Sequence, residues 1–395
     1  MTDRLQRPTS LLLLGALCAL PPLSIDMALP AAIQTQNDLG GGPLAMGLTL
    51  SLFMAGFALA PIAYGAVSDR LGRKAPLILG LLLFTLGGLG CAFASSVDML
   101  LIARVVQGMG AGVGPTLAFA ASRDRLQGPA MHRRLAALGM LLGIAPVIAP
   151  SLGAAILSVS DWRAIYAVLT ALGAILVLWV SFGFEETWPA ERRSNAATPS
   201  GRRLFARIFS RIPLQNGAIR GLSAGSMFAY VAGSPLLFVG AYGVSSHIYA
   251  GLFACTALGI VAGSAVSGAL GKRLGGRHLI GGGLILATGA PAVALALILL
   301  GGPSLQSITI CLVTATFGYG LITPAATQAA LEPMGDLAGL ASALLNTFQM
   351  ACMALASLLV AATSDVAGIV AAPAVMVLFS AASLLAFLSR GAGTE

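Results

Sequence analysis

The stretch Gly65-Ala66-Val67-Ser68-Asp69-Arg70-Leu71-Gly72-Arg73-Lys74 decides the fold, because it is a short polar island between two long apolar runs. The segment from Ser68 to Lys74 can neither cross a bilayer nor fold alone. It must be a tight turn joining two spans that meet the same membrane face. Glycine at 65 and 72 lets the backbone turn, and Arg70, Arg73 and Lys74 hold it at the lipid surface.

Composition agrees with a membrane reading. Of the 395 residues, 57% are hydrophobic and only 9% charged, with a mean hydropathy of +0.91, so too little polar surface exists to coat a soluble globule. Apolar runs of bilayer length predict about twelve helical spans, near 11–32, 44–67, 75–95, 97–121, 135–157, 162–184, 217–240, 248–270, 279–300, 306–330, 338–362 and 367–389. The expected fold class is therefore an all-α integral membrane protein. With the N-terminus inside, all but three of the 22 Lys and Arg residues fall on cytoplasmic segments; the exceptions are Arg104, Arg163 and Arg220. The positive-inside rule then puts both termini in the cytoplasm, and the net charge of +8 marks that face, not a nucleic-acid surface.

The chain repeats itself. Arg70-Leu71-Gly72-Arg73-Lys74 returns as Arg273-Leu274-Gly275-Gly276-Arg277, an offset of about half the length, without a counterpart to Asp69. The expected organisation is two pseudo-symmetric six-helix bundles, residues 1–190 and 212–395, joined by a cytoplasmic linker over 191–211. Within that linker, residues 202–212 read either as a basic amphipathic helix on the inner leaflet or as an irregular solvated segment.

Two charges lie deep inside spans, Asp26 and Arg104, at matching distances from the outer end of the first and fourth spans. Intramembrane charge is where function is sought first. The two are candidates for proton coupling, either as a pair or with Arg104 snorkelling outward. A carboxylate that moves between a dry site and one beside a cation carries a proton.

The turn spelling resembles the loop between the second and third helices of the major facilitator superfamily. Leu23-Ser24-Ile25-Asp26-Met27-Ala28-Leu29-Pro30 resembles the first-helix signature of its bicyclomycin and chloramphenicol resistance group, the Bcr/CflA drug:proton antiporters, with Ala28 where that group usually carries an aromatic residue. Arg104-Val105-Val106-Gln107-Gly108-Met109-Gly110 is similar to the fourth-helix motif associated in the family with proton transfer. The run Gly139 to Gly153, with Gly143, Pro146 and Pro150, echoes the fifth-helix antiporter motif. Ser223-Ala224-Gly225-Ser226 and Ala338 to Gln349 complete a match over nearly the whole length. The resemblance implies the major facilitator fold and export of an apolar or cationic drug or antibiotic in exchange for protons flowing inward. It also implies a bacterial inner-membrane protein that works as a monomer without a cofactor or metal.

Physical readings run beside that resemblance. Glycines 108, 110, 112 and 114 make a smooth helix face for packing or rocking, and Gly139, Gly143, Pro146, Pro150 and Gly153 make the fifth span bendable or simply tightly packed. Asp69 is placed to latch onto the N-terminus of the eleventh span, so Gly65, Ser68, Asp69, Arg70, Gly72, Arg73 and Lys74 form a candidate gate. Candidate substrate contacts are the apolar and aromatic Met27, Phe53, Phe57, Met227, Tyr230, Phe317, Tyr319 and Phe348, with Gln107, Asn346 and Gln349 as polar partners; each apolar one could equally face lipid or another helix. Trp162 and Trp188 suit the outer and inner aromatic belts. Among other functions, a specific exporter of a metabolite, amino acid derivative or sugar is the nearest alternative, followed by a non-transporting sensor. No phosphate-binding loop is present and the three histidines are dispersed, which argues against ATP hydrolysis and against an enzyme. The five cysteines fall in spans without metal-ligand spacing.

Overall fold

The computed structural model describes residues 8–188 and 210–389, and within these it is entirely helical apart from turns. The helices are α1 (Pro8–Asp26), α2 (Ala32–Leu39), α3 (Pro43–Leu71), α4 (Lys74–Ala92), α5 (Val97–Ala111), α6 (Val113–Arg125), α7 (Gly128–Leu157) and α8 (Trp162–Gly183). After the undescribed segment come α9 (Arg211–Pro235), α10 (Ser246–Leu274), α11 (Gly276–Leu299), α12 (Leu305–Leu331), α13 (Ala338–Ala367) and α14 (Ala371–Leu388). A π turn, Leu236–Ala241, extends α9. The amphipathic segment expected over 202–212 lies outside the described residues up to 209; α9 opens at its next-to-last position, Arg211.

Eleven described stretches are long and apolar enough to cross a bilayer. The last, Ala341–Leu388, is two helices, α13 and α14, parted by Gly368 at φ 54°, so the expected twelve spans are present. Several helix starts are set by side-chain caps. Ser96 accepts the Met99 amide at the start of α5, Asp161 accepts the Arg163 and Ala164 amides at α8, and Ser245 and Ser304 do the same for α10 and α12. Packing groups the chain into two compact units, one of Met1–Thr35 with Leu52–Thr198, the other of Gln36–Ser51 with Pro199–Glu395.

The first span departs from a single rod. α1 ends at Asp26 and the chain re-forms as a 3-10 turn over Leu29–Ala31 before α2. Pro30 explains the break, since it has no N–H to give the Asp26 carbonyl four residues earlier. The Ala31 amide bonds the Ala28 carbonyl at 3.1 Å, leaving the Met27 carbonyl without its helical donor. α7 packs on that freed carbonyl through Gly153, where an added Cβ would stand 2.2 Å from the Met27 oxygen. In the fourth span, Gly108 meets the Phe53 carbonyl of α3 in the same way, at 2.1 Å from an added Cβ. The smooth face read from the sequence is a packing face.

Gly139 and Gly143 differ from Gly153, because an added Cβ there meets nothing within 4 Å. We expect Gly143→Ala to leave folding unchanged or improve it by up to about 1 kcal/mol. Gly153→Ala should cost about 1–3 kcal/mol, as overpacking against backbone does. Thermal midpoints of the two purified variants check this; equal midpoints would assign Gly153 to bending and not to packing.

Candidate functional site

Arg104 sits on the face of α5 that meets α1 and α3, and it is buried. One guanidinium nitrogen, Nη1, donates to Gln107 Oε1 at 2.8 Å, to the Ser24 carbonyl at 3.2 Å and to Ser24 Oγ at 3.3 Å. The guanidinium lies 4.3 Å above the Phe53 ring and 5.8 Å from that of Tyr166. Such stacking is worth roughly 2 kcal/mol when water is excluded. The arginine is thus anchored to the first span through Ser24, two positions before Asp26.

Asp26 is 5% exposed and forms no ion pair with Arg104; among the described residues nothing donates a hydrogen bond to its carboxyl group. The pair considered from the sequence is therefore not formed. What stands there instead is a carboxyl unpartnered among the described residues, at the C-terminal end of a broken helix, a position where backbone carbonyls already gather negative potential. Holding an ionised carboxylate in such a place costs free energy, and binding a proton removes the charge responsible.

The turn at 65–74 is wired more heavily than its spelling suggests. Gly72, at φ 89°, lets its N–H reach back to the Ser68 carbonyl at 3.0 Å. Arg73 then folds inward: Nε and Nη2 bond the two Asp124 oxygens at 2.9 and 3.3 Å, and Nη1 bonds Ser68 Oγ at 2.6 Å and Asp69 Oδ1 at 2.7 Å. The Arg73 and Asp124 side chains are 6% and 7% exposed, whereas that of Asp69 is 50% exposed, so the buried ion pair is Arg73 with Asp124. Burial works against the Arg73 charge, but the bonds and charge of Asp124, and then of Asp69, outweigh it and hold the guanidinium above its ordinary pKa. Glu186 completes the turn by accepting the Arg73 and Lys74 amides at 2.8 and 3.2 Å, capping the start of α4. Trp188 donates from Nε1 to the Asp69 carbonyl at 2.8 Å and lies under the Arg73 guanidinium at 4.6 Å. Its work is in the turn, and the aromatic-belt reading does not account for these contacts. The second copy has the same backbone: Gly275 is at φ 75° and its N–H bonds the Gly271 carbonyl at 3.1 Å.

In the second unit Arg220, read from sequence only as a cation near the end of a span, lies on α9 facing α13. Its Nη2 donates to Asn346 Oδ1 at 2.7 Å, while its Nε is buried without an acceptor. Gln349, on the same helix as Asn346, donates to the Tyr319 hydroxyl of α12 at 3.3 Å and leaves its own Oε1 buried and unbonded. Phe348 is 45% exposed, and an added Cβ at Gly221 would meet its ring at 2.5 Å. The structure thus brings together Tyr319, Asn346 and Gln349 around an arginine, with Phe348 beside it.

Other expected contacts are closed off by their own neighbours. Met27 and Phe53 are fully buried, and Phe53 stacks on Phe57 at 6.4 Å while its ring lies against Arg104. Tyr230 is buried too, stacked 5.8 Å from Phe253 with its hydroxyl 2.8 Å from Thr256 Oγ1. Gln107 is committed to Arg104 and accepts the Cys91 thiol at 3.9 Å. Met227 and Phe317 are half-buried.

Bilayer-length helices, one of them broken at a buried carboxyl, with arginines held inside spans, define a polytopic membrane transport protein. The sequence profile of the Major Facilitator Superfamily matches residues 12–357, and the chain belongs to that superfamily. It is 33% identical over 341 residues to the uncharacterized MFS-type transporter YdgK of Bacillus subtilis (strain 168), covering 85% of this chain and 84% of that one. It is also 33% identical over 344 residues to the multidrug resistance protein MdtL of Salmonella typhimurium, covering 85% and 83%. Among solved structures, a bacterial homologue of the human lysosomal transporter Spinster superposes with a TM-score of 0.78 at 18% identity, covering 98% of each chain. The human organic anion transporter MFSD10 superposes with a TM-score of 0.66 at 20% identity over 97% of this chain and 99% of that one. These two share the fold. The protein is a multi-pass membrane transporter and not an enzyme.

Proposed function

We propose that this chain is a proton-coupled exporter of the Bcr/CflA type, a monomer of the bacterial inner membrane with both termini in the cytoplasm, that moves apolar small molecules outward by alternating access. The observation that carries the reading is Asp26, a buried carboxyl without a partner among the described residues, at a break in the first span. A proton arriving from outside neutralises it, and its release to the cytoplasm restores the charge, so the site alternates between two electrostatic states. Arg104, tied to Ser24 by hydrogen bonds, links that state to α5. Relatedness to MdtL, named a multidrug resistance protein, supports a drug-like cargo. Of the apolar and cationic cargo classes expected from the sequence, the apolar one fits better, because the Arg220 guanidinium would repel a monocation.

A resistance and efflux panel in a pump-deficient bacterial host tests this, with bicyclomycin, phenicols, dyes and candidate metabolites. Expression should raise tolerance to at least one apolar compound, and an uncoupler that collapses the proton gradient should stop its efflux. Efflux that persists without the gradient would overturn the proton-coupled reading.

A further inference from the structure

We infer that the second unit holds a recognition site for an oxyanion, specifically a carboxylate carried on an apolar body, with Arg220 as its anchor. The inference deepens the export reading above by naming a chemical group of the cargo, and it rests on that reading only for the direction of transport.

Arg220 lies inside a bilayer-length helix, about 14 Å along α9 from Arg211 at 1.5 Å per residue. Asn346 is about 12 Å along α13 from Ala338, and Tyr319 about 18 Å along α12 from Leu331, so the three helices present their polar groups at similar distances from one end. Charge at such a position is costly without a counter-ion. Among the described residues no carboxylate forms an ion pair with Arg220, and its bonded partner, Asn346 Oδ1, is neutral. The guanidinium Nε remains buried with no acceptor.

The polar groups around Arg220 are neutral and already engaged: Asn346 Oδ1 accepts from its Nη2, and Gln349, 7% exposed, donates to the Tyr319 hydroxyl. Buried polar groups in native proteins are almost always satisfied, so the bare Nε of Arg220 is an exception that an acceptor on a ligand would remove. A carboxylate supplies the missing acceptor for Nε and the missing charge, and a planar oxyanion suits the fork of the guanidinium. The half-exposed Phe348 ring, packed beside Gly221, offers apolar surface next to it. A cation would be repelled by the guanidinium. A neutral compound would leave the charge uncompensated.

The test is equilibrium binding of radiolabelled 2-naphthoate and its neutral isostere 2-naphthamide to the full-length protein in lipid nanodiscs, without any proton gradient. Wild type should prefer naphthoate by about tenfold or more, the range of one charge-assisted hydrogen-bonded pair. Arg220→Gln should bring the two ligands within about twofold of each other, and Arg220→Lys should keep part of the preference. Asn346→Asp guards against misfolding as the explanation, because it places a carboxylate on Arg220 in the space of the amide. That variant should fold at least as well as wild type and lose the preference for naphthoate.

Absence of a naphthoate preference in wild type would overturn the inference. So would a preference that survives in Arg220→Gln or Asn346→Asp. Because no gradient is used, these outcomes are independent of whether Asp26 couples transport to protons.

Discussion

Asp26→Asn abolishes proton-driven export and leaves the helices folded. The amide matches the carboxyl in size, and the substitution sacrifices no contact, because nothing among the described residues donates to Asp26 in the native protein. Stability should therefore stay within about 1 kcal/mol of wild type. What is lost is the ability to bind and release a proton. Asp26→Glu keeps that ability but pushes the group one methylene further from the broken end of α1, so partial activity is expected. The measurement is proton release on adding an exported compound to purified protein in weakly buffered detergent, followed with a pH dye. Linkage requires that a substrate competing with the proton expel it. Equal release from wild type and Asp26→Asn would move coupling to another group.

The second large effect concerns stability. Asp124→Ala leaves the Arg73 guanidinium buried with the half-exposed Asp69 as its one remaining carboxylate, beside the buried Ser68 hydroxyl and the Trp188 ring, and removal of one member of a buried pair typically costs about 3–5 kcal/mol. Asp69→Asn should cost under about 1 kcal/mol, since an exposed ion pair contributes little. A denaturation series in mixed detergent micelles would order the variants. If Asp69→Asn proved as damaging as Asp124→Ala, the turn would be held from its exposed side. Any transport defect of Asp69→Asn at full stability then reports on gating, which is the role its motif suggests.

Much of this architecture was legible in the residue order. Apolar runs located the twelve spans because hydrocarbon thickness is a one-dimensional constraint, written directly as length. The ends were less legible. The fifth span was expected from 135 and α7 begins at Gly128, since a helix that leaves the lipid continues through Pro129 to Arg134 as long as its backbone bonds close. The break after Asp26 was readable in principle from Pro30, but Pro21 and Pro22 stand inside α1 without ending it, so proline alone does not say where a span parts.

The site was legible in its parts and not in its pairings. Asp26 and Arg104 announced themselves as charges in apolar surroundings, but that Arg104 prefers Ser24 and Gln107 depends on how α5 is rotated against α1. Glu186 and Asp124 reach the turn across 113 and 51 positions of sequence, distances that no local pattern encodes. The residue order shows Arg220 only as a cation off the cytoplasmic segments; that its partner is the neutral Asn346, 126 positions later, is written in no local pattern.

The two copies of the glycine turn carry unequal mutational latitude. Both need glycine for a left-handed backbone, at 72 and at 275. Beyond that, Ser68, Asp69, Arg73 and Asp124 around the first are bonded to one another and Trp188 stacks on Arg73, so drift at those positions must proceed by paired changes. Arg273 to His278 in the second are exposed, and an added Cβ at Gly275 would meet no neighbour within 4 Å. That loop is free to wander in sequence, and it is where this chain can be opened to accept foreign residues without disturbing the spans on either side.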